Sequence, residues 1–217
     1  MMPLRFASDT PRVLCLGAHS DDIEIGCAGT LLEWRRQYPC LEICWVVMSA
    51  AGERAAEARK SVRSLLGASV RKIELGHFPD GHLPSHYSEA KAFLAGIRDA
   101  FTADVVLTHR MEDRHQDHRL IGEMTWQTWR DQWILEYEIP KYEGDLGQPN
   151  VYMPLSAASA RRKVGHLMKH FGSQRSKSWF TEPVFEGLMQ IRGVECRSAS
   201  GFAEAFHARK MVLHGQN

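Results

Sequence analysis

Short apolar runs alternating with amphipathic, helix-like stretches predict an α/β protein: a single domain over residues 1–217, with a mainly parallel sheet and helices on both faces. Three observations carry this expectation. The run from Val13 to Ala18 is continuously apolar, as a strand buried on both faces requires. The stretch after it repeats apolar residues every three or four positions. The same pair of patterns then recurs along the chain, and regular alternation of this kind implies right-handed crossovers between parallel strands.

From Asp22 to about Tyr38, Ile23, Cys27, Leu31, Trp34 and Tyr38 form one apolar stripe that stops before Pro39. Ile43 to Met48 predicts a second strand, Glu53 to Leu66 a helix closed by Gly67, and Lys72 to Leu75 a shorter strand. Ser88 to Phe101 predicts a helix, Asp104 to Thr108 a strand, and Leu120 to Trp133 a helix on which Trp126, Trp129 and Trp133 form a packed stripe. Beyond Ile134 the pattern weakens. Glu136 to Ile139 and Val151 to Met153 fit strands, Ala157 to His170 and Pro183 to Ile191 fit helices, and the tail Phe202 to Leu213 fits neither pattern well. No repeat or linker divides the chain, so its last third is expected to be an extension that walls the site.

Composition narrows the function classes. Lys and Arg number 27 against 26 Asp and Glu, so no global positive field speaks for nucleic acid and no acidic excess for a solvating tail. Cys15, Cys27, Cys40, Cys44 and Cys196 form no CxxC pair and are too sparse for a disulfide scaffold, which predicts reduced thiols. Met1 to Arg12 lacks the layout of a signal peptide, and no apolar run approaches the roughly 20 residues that span a bilayer. A cytoplasmic protein without a membrane span is the expectation, with oligomeric state left open and a homo-oligomer compatible.

The chemistry concentrates in two runs, His19-Ser20-Asp21-Asp22 and His115-Gln116-Asp117-His118, each placed where an apolar strand gives way to a helix. Open α/β sheets put their sites at such junctions. A sharp turn at the first run brings the His19 imidazole and the Asp22 carboxylate within range of one cation, leaving Asp21 beside them and free. In the second run His115 and His118 are neighbours on one helical turn, so one can bind metal while the other faces a substrate. Asp117 is then placed to hydrogen-bond an imidazole from behind. Two nitrogens and one carboxylate oxygen with open positions suit a catalytic zinc better than a structural one. The competing explanations are a capping pair, Asp21 with Glu24, and a solvated helix start in the second run, where Glu112, Asp113, Arg114, Gln116 and Arg119 are all polar.

These runs resemble the motifs of the PIG-L/LmbE-like family of metal-dependent N-deacetylases, Ala-His-Pro-Asp-Asp and His-x-Asp-His, which stand here as Ala18-His19-Ser20-Asp21-Asp22 and His115-Gln116-Asp117-His118. The resemblance covers about the first 120 residues and implies a Rossmann-like fold. It implies that His19, Asp22 and His118 bind Zn2+, with Fe2+ an alternative, that Asp21 is the general base, that His115 aids the transition state, and that Asp117 supports the histidines. It also implies that Arg54, in Gly52-Glu53-Arg54, and Asp80, in Asp80-Gly81, touch sugar hydroxyls; otherwise Arg54 is a helix-surface residue and Asp80 a turn former. The implied reaction removes an N-acetyl group from an amino sugar or its conjugate, a glycoside or a sugar nucleotide. Two departures stand out: Ser20 replaces the family proline, and Ala28 the first glycine of a usual pair.

Two other function classes compete. Two histidines and a carboxylate also suit a non-haem iron oxygenase, against which the spare base Asp21 speaks. A non-catalytic nucleotide-binding module would use Gly26 to Gly29 as its glycine turn, but that GxxG lacks the dinucleotide fingerprint and falls inside the predicted helix. Arg161, Arg162 and Lys163, with Lys169, Arg175 and Lys177, hint at a phosphate-bearing substrate. The stretch His170 to Gln174 resembles a His-x-Ser-Gln element of the family with one residue inserted, and is expected to form a buried polar turn.

Overall fold

The computed structural model describes residues 5–212. Seven strands form one sheet: β1 (Arg12–Gly17), β2 (Glu42–Val47), β3 (Val70–Leu75), β4 (Val105–Thr108), β5 (Trp133–Tyr137), β6 (Val151–Pro154) and β7 (Ala203–His207). Six α-helices pack on it: α1 (Asp22–Gln37), α2 (Gly52–Leu66), α3 (Tyr87–Ala100), α4 (Gln116–Thr128), α5 (Ala157–His170) and α6 (Glu182–Glu195). Strand order is β3-β2-β1-β4-β5-β7-β6. The first five strands pair in parallel, and β7 runs antiparallel to both β5 and β6. The predicted α/β class and mainly parallel sheet are therefore observed.

Alternation within strands explains the two cores. Val13 and Cys15 of β1, with Ile43, Trp45 and Val47 of β2, face α1, α2 and α5. Leu14 and Leu16, with Cys44, Val46 and Val106, face α3 and α4. Both faces are buried, so the central strands read as unbroken apolar runs.

Three elements differ from the expectation. Helix α4 begins at Gln116, not Leu120, because the His115 side chain caps it by accepting the Asp117 amide. A polar first turn follows, which apolar periodicity does not register. The same helix ends at Thr128, so the tryptophans form no stripe: Trp126 lies on α4, Trp129 caps it, and Trp133 opens β5. The strand predicted over Glu136 to Ile139 starts earlier, since pairing with β4 matches Val105 to Trp133 and Thr108 to Glu136. The tail resolves into β7, and Leu213 lies outside the described residues. All five cysteines are free thiols, with Cys40 exposed. Among the described residues no helix is long and apolar enough to cross a membrane.

The C-terminal third is integral to the sheet and also to α1. That helix breaks at Cys27, whose φ of −149° and ψ of 16° are not helical. The break frees backbone groups that a buried ion pair satisfies. The Gly29 and Thr30 amides donate to the Glu204 carboxylate of β7, at 2.9 and 2.6 Å. Lys163 of α5 donates both to Glu204 and to the Ile25 carbonyl. Close packing reinforces the splint: a Cβ on Gly26 would stand 2.3 Å from the Tyr137 ring, and one on Gly29 would stand 2.6 Å from Leu155. These glycines admit neighbouring side chains inside a helix, and they form no phosphate-binding turn.

Glu204→Leu strands the Lys163 ammonium and two amides in the core. It should cost about 3–5 kcal/mol, measured by chemical denaturation, because one partner of a buried pair is removed. A change below about 1 kcal/mol would show that the break in α1 needs no splint.

Candidate metal and catalytic site

Adjacent strands β1 and β4 send their following helices toward opposite edges of the sheet, creating a switch point at their carboxyl ends. Both motifs meet there. After β1 the chain turns sharply, with the His19 amide donating to Asp22 Oδ2 at 2.7 Å and the Asp22 amide to the His19 carbonyl at 3.5 Å. The closed turn holds Ser20 buried, and its hydroxyl has no protein partner. Asp21 stands at the N-cap position of α1, yet its side chain makes no capping hydrogen bond. Glu24 does not reach back either; Ser61 of α2 donates to it.

Three donor atoms converge. His19 Nδ1 lies 3.3 Å from Asp22 Oδ2 and 3.1 Å from His118 Nε2, and the last two are 3.4 Å apart. Ligands about 2.1 Å from one tetrahedral cation stand about 3.4 Å from each other, so the triangle fits such an ion. All three residues are buried. Each imidazole has its far nitrogen against a carboxylate: His19 Nε2 faces Asp80 Oδ1 at 2.9 Å and Asp117 Oδ2 at 3.3 Å, and His118 Nδ1 faces Asp113 Oδ2 at 3.1 Å. This arrangement fixes ring orientation and directs the other nitrogen inward.

Asp117 does more than face His19. It also accepts the Gly81 and Leu83 amides, at 2.7 and 3.1 Å, and so ties the loop after β3 to α4. Four residues that the motifs did not single out complete the cluster. Asp113 is held by Lys141 at 3.0 Å, which in turn pairs with Asp145 at 2.7 Å. His109, fully buried just after β4, stacks on His118 with ring centres 4.0 Å apart and places Nε2 3.1 Å from Asp22 Oδ2. Its only sequence signal is a lone histidine at a strand's end.

Burial and neighbouring charge set the protonation states. Burial, with the Asp22 charge added, pushes Asp21 up to about 6, against the pull of Arg54. Burial alone would raise Asp22 as well, but His118, His109 and His19 hold it well below the usual carboxylate range. His19 is raised, because Asp22, Asp117 and Asp80 outweigh the effect of burial. Burial and His109 push His118 down to about 4. His115 is lowered by burial and by His19. Its Nδ1 accepts the Asp117 amide at 3.3 Å, so the neutral ring carries its proton on Nε2.

Arg54 and Asp80 face each other across the site. The guanidinium of Arg54 pairs with Asp80 and stands 3.7 Å from Asp21 Oδ1. Asp80 thus bridges Arg54 and His19. The basic residues of the C-terminal third do not form one anion-binding face. Lys163 is buried on Glu204, Arg162 donates to the Leu65 carbonyl, and Arg175 donates to the Met168 carbonyl. The His170 to Gln174 stretch holds three buried side chains, Phe171, Gln174 and His170, the last stacked on His166, while Ser173 binds Glu57.

The fold and the site together define an α/β protein with a buried His/Asp donor set at the switch point of its sheet. The chain belongs to the PIG-L family, GlcNAc-PI de-N-acetylase, which matches residues 14–129. It is similar in structure to the N,N'-diacetylchitobiose deacetylase from Pyrococcus horikoshii, at 21% identity and a TM-score of 0.71 over 91% of this chain and 83% of that one. It is also similar to GalB, the 4-carboxy-2-hydroxymuconate hydratase from Pseudomonas putida KT2440, at 16% identity and a TM-score of 0.70 over 95% and 99% of the two chains. A zinc-inhibited form of the teicoplanin deacetylase Orf2 is similar at 12% identity and a TM-score of 0.69, over 91% and 97%. At these identities the likeness is one of fold.

Asp113→Ala removes the carboxylate behind His118 and releases its ring. Divalent-cation affinity should fall by about 10–100-fold in competition with a chromophoric chelator. Unchanged affinity would show that His118 needs no support from behind.

Proposed function

We propose that this protein is a metal-dependent N-deacetylase, hydrolysing an N-acetyl group on an amino sugar or its conjugate to acetate and a free amine. Membership of the PIG-L family supports the reaction class. Fold likeness by itself does not select it, since a hydratase shares the architecture. The observation that carries the proposal is a buried carboxylate, Asp21, that makes no capping hydrogen bond beside a convergent donor triangle.

In this reading His19, Asp22 and His118 hold Zn2+ or Fe2+, ions that this donor set suits. The cation supplies Lewis acidity toward the amide carbonyl and makes water a better nucleophile. Asp21 takes the proton of the attacking water as the carbon–oxygen bond forms, then returns it to the amine nitrogen as the carbon–nitrogen bond breaks. Its burial and its distance from Arg54 favour proton exchange over a fixed ion pair. His115 stays neutral and offers Nε2–H to the oxyanion, a donor fixed by the cap at its other nitrogen. Asp117 positions His19, and Arg54 with Asp80 meets the sugar hydroxyls at the mouth.

Metal analysis of the purified protein, coupled to an acetate-release screen over N-acetylated glycosides and sugar nucleotides, tests the proposal. Metal-loaded protein that releases no acetate from any of them overturns it. Stripping the cation with a chelator should abolish release, and adding back Zn2+ or Fe2+ should restore it. Asp21→Asn should retain the cation but lose about 10²–10⁴-fold in kcat. His118→Ala should lose both cation and turnover. Full activity in Asp21→Asn would remove Asp21 from the chemistry.

A further inference from the structure

At the end of the sheet opposite the donor triangle, the last turns of α1 and the first two turns of α5 flank an open groove of about 350 Å³, lined by Leu32, Arg35, Arg36, Ala158, Ser159 and Arg162. Arg35 is about 20 Å along α1 from Asp22, at about 1.5 Å per residue, so a small substrate in the catalytic site does not reach it.

We propose that this groove binds a phosphate-bearing anion, such as a diphosphate group. Arg35 and Arg162 each donate one N–H to the same acceptor, the Leu65 carbonyl in the last turn of α2, both at 3.1 Å. Capping that carbonyl needs only one of them, yet both guanidinium groups are held side by side. Neither pairs with a carboxylate among the described residues. Each keeps its remaining donors in the rigid fork that matches phosphate oxygens.

The rest of the lining adds positive potential. The Ser156 side chain accepts the Ser159 amide, which leaves the amides of Ala157 and Ala158 without an intrahelical acceptor at the positive end of α5. The groove lining carries no carboxylate among the described residues, and Glu33, paired with Arg36, is buried and committed: Oε1 accepts the Ser156 amide at 2.9 Å and Oε2 accepts from Arg36. Three guanidinium groups against one occupied carboxylate leave an excess charge that a dianion neutralises. Leu32 and Ala158 contribute apolar surface for the part of the ligand that carries no charge.

Calorimetric titration of the full chain with inorganic pyrophosphate at low ionic strength tests this. The wild type should bind saturably. Arg35→Gln with Arg162→Gln should weaken binding at least tenfold, Arg36→Ala by a smaller factor, and Arg98→Ala, which removes a cation on α3, not at all. Because Arg35 and Arg162 also cap α2, Arg36→Ala serves as the variant that leaves the cap intact. Orthophosphate should bind more weakly than pyrophosphate if more than one guanidinium engages the ligand. No saturable binding to the wild type at about 10 mM pyrophosphate, or equal affinity in the wild type and all the groove variants, overturns the proposal.

Discussion

The break in α1 at Cys27, and the Lys163–Glu204 pair that satisfies it, is the constraint on which the rest of the structure hangs. An unbroken helix would bond its Gly29 and Thr30 amides internally; here both go to Glu204, and the Ile25 carbonyl goes to Lys163. The pair therefore clamps β7 and α5 to the helix that carries Asp22. Gly26, one residue before the break, admits the Tyr137 ring, and the Tyr137 hydroxyl donates to the Leu16 carbonyl at 2.6 Å and stands 3.2 Å from His109 Nε2. Each step links the C-terminal strands to the turn that bears the donors.

Electrostatics at the catalytic end follow from how that turn is supported. Asp22 Oδ2 is approached by the His19 amide and by three imidazole nitrogens, so a negative charge there is stabilised where an isolated buried carboxylate would be neutral. Asp21, one residue away, shares the burial, and among the described residues its one ion-pair contact is Arg54 at 3.7 Å. Adjacent carboxylates are thereby given different surroundings. Burial, with the Asp22 charge added, raises Asp21 while the surrounding histidines lower Asp22, so the two proton affinities move apart, the pattern expected where one group holds charge and the other moves a proton.

What the sequence made legible was local. Strands β1, β2 and β4 are visible because burial on both faces removes polar residues, and α1 because its apolar stripe follows the helical period until Pro39. The start of α4 was not legible, because a histidine cap lets Gln116 to Arg119 form a polar turn that lacks apolar spacing. Asp113 was hidden among Glu112, Arg114 and other polar neighbours, and only its contacts with His118 and Lys141 distinguish it. Glu204 and Lys163 are separated by 41 residues, and neither position carries a local sign of its partner. The tryptophan spacing misled for a related reason: a helix, its cap and the next strand placed three indoles at intervals that a continuous helix would also give.

The placement of charge also separates two binding tasks that the sequence ran together. At the switch point Asp21, Asp80, Asp113, Asp117 and Asp145 surround the donor cluster, and Arg54 and Lys141 beside them are already paired with carboxylates. That balance suits a divalent cation and works against a phosphate. Of the basic residues on α5, Lys163 turns inward to the break in α1, whereas Arg162 turns to the far groove beside Arg35. Residues adjacent in sequence thus serve different faces of α5, one the buried break in α1 and the other the groove, because one step along a helix rotates a side chain by about 100°. A cation and an anion can be accommodated on one small domain without mutual neutralisation, since the length of α1 keeps them farther apart than the roughly 8 Å over which exposed charges act at physiological salt.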